Sequence, residues 1–246
     1  MPDRPTHDAS DSPGPLHLAV RELCAGYGEE EVLHGIFLDV RPGELVTLVG
    51  RNGAGKSTIM RSVIGLLRRR TGSIIIDGSE TIALAPERIA RLGVGYVPEE
   101  RGIFSRLSVE ENLQLPVAVG SDGLSIEAIF ALFPNLRERM RSQGSRLSGG
   151  EQQMLAIARV LRTGARFLLM DEPTEGLAPV IVQQIGGTIA KLKEAGFTIL
   201  LVEQNVHFAS NVSDRYFVIE DGHVIDQLPK LGTATAVAKL ERYLGI

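Results

Sequence analysis

Residues 50–58 read Gly-Arg-Asn-Gly-Ala-Gly-Lys-Ser-Thr and fit the pattern GxxxxGK[ST]. Glycines at such spacing let the backbone bend closely around a chain of phosphates, and successive N–H groups then point inward at the start of a helix. An apolar run that ends at Val49 precedes the stretch, and a helical pattern follows from Lys56. The sequence therefore predicts a phosphate-binding loop between a strand and a helix.

The loop carries the first set of candidate ligand-binding residues. Lys56 can reach the β- and γ-phosphates of a nucleotide, the Ser57 hydroxyl can bind Mg²⁺, and Thr58 can contact phosphate oxygens. A glycine-rich turn without a ligand is the alternative, but a chance match in a chain of this length occurs at on the order of 1 %. The predicted nucleotide-binding residues of the loop are Gly50, Asn52, Gly53, Ala54, Gly55, Lys56, Ser57 and Thr58.

A second candidate site lies where the apolar run 167–170 ends in two acids, Asp171 and Glu172. Adjacent carboxylates after a buried strand are costly unless they meet a cation or water. Asp171 fits a role in holding Mg²⁺, and Glu172 fits the base or orienting group for an attacking water. About half of the strands that end in acids carry them without a catalytic role. The pair is therefore interpreted as catalytic only because the same chain also has the phosphate loop.

A second glycine cluster, Leu-Ser-Gly-Gly-Glu-Gln-Gln, occupies residues 147–153 before a helical pattern. Ser148 and Glu151 satisfy the S-x-x-E capping box, which explains two of these residues. It does not require Gly149 and Gly150, which are poor helix formers. Bare N–H groups at a helix N-terminus form an anion site, so Ser148, Gly149 and Gly150 are predicted to touch the γ-phosphate.

Composition excludes several other classes of protein. The 246 residues carry 26 Lys and Arg against 30 Asp and Glu, a net charge of −4, so no basic excess indicates nucleic acid. No apolar run approaches the roughly 20 residues that a membrane span needs. The single cysteine, Cys24, rules out an internal disulfide. Residues 1–15 are rich in Pro, Asp and Ser, lack the apolar core of a signal peptide, and are predicted to be a flexible tail.

Strands alternate with helices along the rest of the chain, which predicts an α/β fold with a mainly parallel core sheet. The predicted helices are 56–67, 151–161, 179–194 and 233–244, with a mostly helical stretch over 108–141 that looks like an inserted lobe. The predicted strands are 16–23, 32–40, 44–49, 73–77, 94–97, 166–170, 198–202, 215–220 and 223–227.

Taken in order, the segments GRNGAGKST, LSGGEQQ and LLMDEPTEGLAP resemble the ATP-binding cassette (ABC) ATPase family. The resemblance covers residues 16–246 and implies one nucleotide-binding domain that hydrolyses ATP. It implies a RecA-like P-loop NTPase core (16–98 and 164–246), an N-terminal antiparallel β part, and a helical subdomain over about 99–163. It also implies a sandwich dimer, with each ATP between one subunit's phosphate loop and the other's LSGGE segment, and an aromatic stacked on adenine, here Tyr27.

Further segments, GYVPEERGIFSRLSVEENL, DEPTEGLAP and LLVEQN, resemble the ATPase subunits of branched-chain amino acid importers. Close relatives of that subgroup drive urea and short-amide uptake, and another ABC transporter is a further alternative. The subgroup implies transmembrane permease subunits and a second ABC ATPase subunit as partners, with a solute-binding protein acting indirectly and no nucleic acid. It also implies a peripheral location at the cytoplasmic face of the cell membrane.

Three positions depart from the wider family pattern. Glu99 stands where Gln usually senses the γ-phosphate, so it becomes a candidate γ-phosphate or Mg²⁺ contact. Gln204 stands where the family usually has a catalytic histidine, and Ala178 replaces the usual Asp of the dimer-crossing loop. These changes leave ATP binding in place and bear on hydrolysis by this subunit's own site. His207 is interpreted as a surface helical residue rather than a displaced catalytic histidine.

Two other functions compete with that of a transport motor. ABC ATPases that act on chromosomes separate the two glycine motifs by long coiled coils, whereas only about 90 residues without heptads separate them here. Ribosome-associated relatives carry two cassettes in one chain. A nucleotide-gated binding module is supported only by Glu99, Gln204 and Ala178. Outside these motifs, the run 68–70 of three arginines is predicted to be a solvated face at a helix end.

Overall fold

The structure is a computed structural model that describes residues 17–120, 123–230 and 232–245. A six-stranded sheet forms its centre, in the order β10-β9-β3-β8-β7-β6. Its neighbouring strands are parallel except at one edge, where β10 runs antiparallel to β9. The strands are β3 (Leu45–Val49), β6 (Val94–Val97), β7 (Phe167–Asp171), β8 (Thr198–Val202), β9 (Arg215–Glu220) and β10 (His223–Pro229). The predicted parallel core is therefore confirmed.

A second, antiparallel sheet packs against the core, in the order β2-β1-β4-β5. It is the N-terminal β part that the resemblance implied. Strands β1, β2 and β4 start earlier or run longer than predicted, because the pairing of β1 with both neighbours continues past the apolar residues, and the two-residue β5 was not predicted. The strands are β1 (Leu18–Tyr27), β2 (Glu30–Val40), β4 (Arg70–Ile76) and β5 (Ser79–Glu80). The predicted tail, 1–15, and Leu16 lie outside the described residues.

Nine α-helices occur in the described part of the chain, and four of them lie between β6 and β7. These four helices interrupt the strand–helix alternation, as predicted from the mostly helical sequence in this part of the chain. Helix α4 ends at Leu132 and a new helix begins at Pro134, where the missing proline N–H costs nothing. The helices are α1 (Lys56–Val63), α2 (Pro86–Ala90), α3 (Val109–Gln114), α4 (Ile126–Leu132), α5 (Pro134–Glu138), α6 (Gly149–Arg162), α7 (Pro179–Glu194), α8 (Val206–Val212) and α9 (Thr233–Leu244).

Local chemistry moves two helix boundaries away from the prediction. The prediction carried α1 to residue 67, but α1 ends at Val63 because Gly65 turns the backbone left-handed, at φ 84°. Helix α6 begins at Gly149, before the predicted residue 151, because Ser148 is its N-cap. The Ser148 hydroxyl accepts a bond from Glu151 N, and the Glu151 carboxylate accepts one from Ser148 N, which is the predicted capping box.

Both faces of the central sheet are buried, which explains the unbroken apolar runs of β7 and β8. Leu169 and Leu200 belong to the core shared with α1 and the antiparallel sheet. The alternate residues Leu168 and Leu201 belong to the core shared with α3 to α7. A smaller core lies under α8 and α9. Among the described residues, no helix combines the length and apolar character required to cross a membrane.

Candidate functional site

The phosphate loop lies between the end of β3 and the start of α1, as predicted, and its glycines have a steric reason. Gly55 sits in the left-handed region at φ 106°, directly before α1. A Cβ at Gly50 would lie 2.2 Å from the carbonyl oxygen of Ile219 on β9. Side chains at these two positions would strain or displace the loop, so the predicted glycine pattern follows from the packing.

The turn between β9 and β10 holds the loop from behind. Gly222 N donates to the Ala54 carbonyl at 3.0 Å, and the Gly222 carbonyl accepts a bond from His34 N at 2.9 Å. A Cβ at Gly222 would lie 1.9 Å from the Val32 carbonyl oxygen. One glycine therefore joins the loop, the edge of the central sheet and the antiparallel sheet; we call this contact the Gly222 junction.

Lys56 is buried and its ammonium is aimed along the loop. Its Nζ donates to the carbonyl oxygens of Gly50 at 2.8 Å and Arg51 at 2.9 Å. Burial lowers the pKa of Lys56, while the nearby carboxylates of Glu172 and Asp171 act in the opposite direction. The cation is thus held among backbone acceptors inside the curve of the loop, where phosphate oxygens can replace the carbonyls as partners.

Asp171 and Ser57 meet at the predicted metal position. Ser57 Oγ donates to Asp171 Oδ1 at 2.9 Å, and Tyr96 Oη donates to Asp171 Oδ2 at 3.2 Å. Burial raises the pKa of Asp171, and these two hydrogen bonds oppose the rise. No three His, Cys, Asp or Glu side chains within residues 17–120, 123–230 and 232–245 converge on a metal centre. A hydroxyl and one carboxylate nevertheless suit Mg²⁺, which takes few protein ligands when phosphates supply the others.

The cavity at the mouth of the loop brings together most of the predicted residues. Its volume is about 260 Å³. Glu99 lies in its lining, which is compatible with the predicted γ-phosphate or Mg²⁺ contact. The lining residues are Asn52, Gly53, Gly55, Lys56, Ser57, Thr58, Glu99, Glu172, Glu175 and Gln204.

Glu172 and Gln204 are direct partners. Gln204 Nε2 donates to both carboxylate oxygens of Glu172, each at 2.7 Å. Glu172 has a left-handed backbone, at φ 47°, and its N–H donates to the Val202 carbonyl at 3.0 Å. The amide therefore holds the carboxylate that was predicted to orient water. Glu175, which the sequence analysis missed, hydrogen-bonds Glu172, and this contact and burial raise its pKa.

Tyr27 lies outside the cavity lining, at the end of β1. Its side chain is exposed, and its hydroxyl accepts a bond from Arg61 Nη1 of α1 at 3.3 Å. The ring thus stands free beside the helix that follows the phosphate loop. The exposure of Tyr27 is compatible with the stacking role that the resemblance implied.

The Ser148–Gly150 segment does not line this cavity either. It opens α6, and Gly150 is packed so tightly that a Cβ there would lie 2.7 Å from the Ile181 side chain. Arg101 lies over this helix start and donates to Gln152 Oε1 at 2.7 Å. The segment is therefore tightly packed and hydrogen-bonded, and it lies outside the cavity at the phosphate loop of its own chain.

Within the arginine run 68–70, Arg68 and Arg69 are exposed as predicted, and only Arg70 departs from the solvated face. Arg70 is half-buried, and its guanidinium donates to the carbonyl oxygens of Leu67, Ile82 and Leu84 at 2.7–2.9 Å. It closes the turn after α1 against the strand connection beside it. His207 is exposed on α8, as predicted.

Comparison with known proteins places these features in one family. The family described as "ABC transporter" matches residues 33–175. BraG of Pseudomonas aeruginosa, a high-affinity branched-chain amino acid transport ATP-binding protein, is 41% identical over 93% of this chain and 99% of its own. LptB of Escherichia coli, a lipopolysaccharide export system ATP-binding protein, is 36% identical over 93% and 97%. The dimeric post-hydrolysis structure of the cassette MJ0796 with ADP and Pi matches with a TM-score of 0.76 and 26% identity, over 87% and 99%.

Proposed function

Because the chain belongs to the ABC transporter family of ATP-hydrolysing cassettes, we propose that it powers an importer of branched-chain amino acids. The observation that carries the proposal is the cavity in which the phosphate loop meets Glu172 and Gln204. The importer assignment is supported by the 41% identity to BraG along almost the whole of both chains. The chain is interpreted as one cassette, with a core of 16–98 and 164–246 and a helical subdomain of about 99–163.

ATP binding is assigned to the loop and hydrolysis to the facing carboxylate. Lys56 neutralises the β- and γ-phosphates, and the loop N–H groups bind their oxygens. Ser57 and Asp171, with Glu99 at the cavity wall, would hold Mg²⁺, which neutralises charge on the phosphates. Glu172 accepts a hydrogen bond from the attacking water and orients it toward the γ-phosphorus. Gln204 holds both oxygens of Glu172 and so limits the directions in which that carboxylate can point.

The Ser148–Gly150 segment is assigned to the nucleotide of a second ATPase subunit. Its position on α6, away from the cavity of its own chain, supports this assignment, and the MJ0796 cassette is dimeric. A dimer places the N–H groups at the start of α6 against the γ-phosphate of the other chain's ATP. The second subunit is either another copy or a related cassette.

The permease contact is assigned to the helical subdomain, near Phe104. The Phe104 ring is 49% exposed, although Arg159 of α6 packs over it at 4.5 Å from the ring centre. Asn112 of α3 also holds the backbone of Phe104 through bonds to its N and O atoms, at 2.9 and 3.0 Å. An apolar ring fixed in this way suits docking of a membrane subunit, which would hold the cassette at the cytoplasmic face. A solute-binding protein would act on the other side of the permease.

The proposal is tested by uptake in proteoliposomes that contain the chain, its permeases and its partner cassette. Labelled leucine should enter with ATP when the matching solute-binding protein is present, and the Lys56→Ala variant should abolish uptake. Urea and acetamide serve as competing substrates. ATP-driven uptake of urea or acetamide without leucine would replace the assignment with amide import, and lipid export would place the chain with the LptB-like systems.

A photocrosslinker at Phe104 tests the permease contact in the same particles. Capture of a permease subunit supports the contact, whereas capture of only the solute-binding protein or the partner cassette contradicts it. A crosslinker at exposed Glu194, on the last turn of α7, serves as the control position.

A further inference from the structure

Glu203 is a buried carboxylate that the mechanism above does not use. It follows β8 directly and its exposed fraction is 2%. Its N–H donates to the Leu48 carbonyl of β3 at 3.3 Å, so the backbone at this point is tied to the central sheet. Burying a carboxylate costs free energy unless hydrogen bonds satisfy its oxygens, so we expect both oxygens of Glu203 to have partners.

The two oxygens of Glu203 hold two different segments of the chain. Oε1 accepts bonds from Thr174 Oγ1 at 2.7 Å and Thr174 N at 3.2 Å. Oε2 accepts a bond from Asn205 N at 3.3 Å. Asn205 in turn caps α8, because its Oδ1 accepts a bond from Phe208 N at 3.0 Å. The carboxylate thus spans the loop after β7 and the turn that begins α8.

These two segments carry the pair that the site depends on. Glu172 lies two residues before Thr174, and Gln204 lies between Glu203 and Asn205. The contact between Gln204 Nε2 and Glu172 requires both segments to keep their relative positions within a few tenths of an ångström. Glu172 also keeps a left-handed backbone, which persists only where the surroundings fix it.

We propose that Glu203 is a positioning residue for ATP hydrolysis: its buried carboxylate ties the Thr174 loop to the Asn205 turn and thereby aligns Glu172 with Gln204. The inference deepens the proposed function and rests on the assigned role of Glu172. It concerns a residue that lines no part of the cavity and contacts no nucleotide group. Its loss should lower the rate of hydrolysis and leave nucleotide affinity nearly unchanged.

The charge of Glu203 gives this role a pH dependence. Burial raises the pKa of Glu203 to about 7, the charge of Glu172 acts in the same direction, and the bonds from Thr174 and Asn205 oppose them. Glu172 is the charged group that faces it from the loop, while the turn before α8 offers the Asn205 N–H and β3 offers backbone only. Above about pH 7 the ionised carboxylate accepts all three bonds at full strength, and below it protonation weakens them.

The test compares four variants in the assembled transporter: Glu203→Ala, Glu203→Gln, Thr174→Val and the control Thr188→Val. Thr188 is a matched control because, like Thr174, it is 5% exposed, and its hydroxyl bonds only the Gln184 carbonyl of its own helix. We expect Glu203→Ala and Thr174→Val to lower kcat about tenfold at pH 8, the loss of a buried hydrogen bond to a charged group. ATP affinity should change less than about twofold.

Two further readouts separate positioning from general destabilisation. The double variant Glu203→Ala/Thr174→Val should be little slower than the worse single variant, because both substitutions remove the same contact between the Thr174 hydroxyl and the Glu203 carboxylate. The ratio of wild-type kcat to Glu203→Gln kcat should rise from pH 6 to pH 8, since the wild-type side chain is neutral only at the lower pH. A pH-independent ratio, equal losses in ATP affinity, or the same effect in Thr188→Val would each overturn the inference.

A Glu172→Gln variant in the same assay separates failure of the positioning role from failure of the proposed role of Glu172 in hydrolysis. If Glu172→Gln abolishes turnover and the Glu203 and Thr174 variants retain it, the positioning role alone is wrong. If Glu172→Gln retains turnover, the assignment of hydrolysis to Glu172 is wrong. Thr174→Val keeps the carboxylate and the backbone bond, so it remains informative where Glu203→Ala does not fold.

Discussion

Replacing Glu203 with glutamine should make folding stability less dependent on pH, irrespective of any role in hydrolysis. Burial raises the pKa of this carboxyl from 4.5 to about 7, so the folded protein binds its proton more tightly than the unfolded chain does. Ionising the buried carboxyl therefore lowers the free energy of unfolding of the wild type. This penalty is absent below about pH 4.5, grows as the pH rises through 7, and then levels off. The glutamine amide of the variant has no proton to lose in this range, whether the chain is folded or unfolded.

The size of the effect follows from the two pKa values. A difference of about 2.5 pH units at about 1.36 kcal/mol each amounts to about 3 kcal/mol. About 2 kcal/mol of this penalty develops between pH 5.5 and pH 8. For a domain of this size, that corresponds to a relative gain in Tm of roughly 4–8 °C for Glu203→Gln at the higher pH.

Thermal and urea unfolding of the nucleotide-free chain at pH 5.5, 7 and 8 measures this gain. Other groups also titrate in this range, so the quantity of interest is the difference between variant and wild type at each pH. Exposed Glu194, at the end of α7, provides a Glu194→Gln control that should show no trend. A variant-minus-wild-type difference that is the same at all three pH values would refute the reasoning, because it would show that Glu203 ionises alike in both states.

Three further outcomes test the site itself. Lys56→Ala should remove most nucleotide affinity, through loss of a charge-assisted contact of about 1.5–3 kcal/mol, and an unchanged ATP dissociation constant would contradict the loop assignment. Glu172→Gln should keep ATP bound in a stable dimer while turnover, measured as phosphate release, falls at least about 100-fold. Near-normal turnover in this variant would reject the catalytic assignment of Glu172. In the reconstituted transporter, Gln204→His should match or raise turnover, by up to about 5- to 30-fold for the charge-assisted contact that a glutamine amide lacks, and Gln204→Ala should lower turnover. If Gln204→Ala is neutral and His207→Ala abolishes turnover, the role belongs to His207.

The sequence was sufficient where a function depends on neighbours along the chain. The glycine pattern of residues 50–58, the capping box of α6 and the apolar strand before Asp171 each specify local structure, and the structure has all three. The alternation of strands with helices predicted the α/β core, and the mostly helical stretch over 108–141 predicted the inserted helices. The motifs assigned both Ser57 and Asp171 to Mg²⁺, and the structure brings these two side chains together.

Contacts between distant segments could not be predicted in the same way. Tyr96 reaches Asp171 only because β6 pairs with β7, and Arg70 is half-buried only because the 81–85 connection folds over it. The contact of Glu175 with Glu172 depends on the turn after β7, which no pattern in the sequence specifies. The sequence does carry one signal for Glu203, because this acid, like Asp171, follows four apolar residues of a buried strand. Which partners satisfy such an acid depends on tertiary packing, which no local pattern records.

The Gly222 junction makes the phosphate loop depend on a residue far along the sequence. The backbone of the loop is hydrogen-bonded to the turn between β9 and β10, which belongs to the last quarter of the chain. A nascent chain that ends before the junction has every residue of the loop and lacks the buttress behind it. A chain that stops before Gly222 should therefore bind ATP more weakly than the 246-residue chain, although its phosphate-loop sequence is intact.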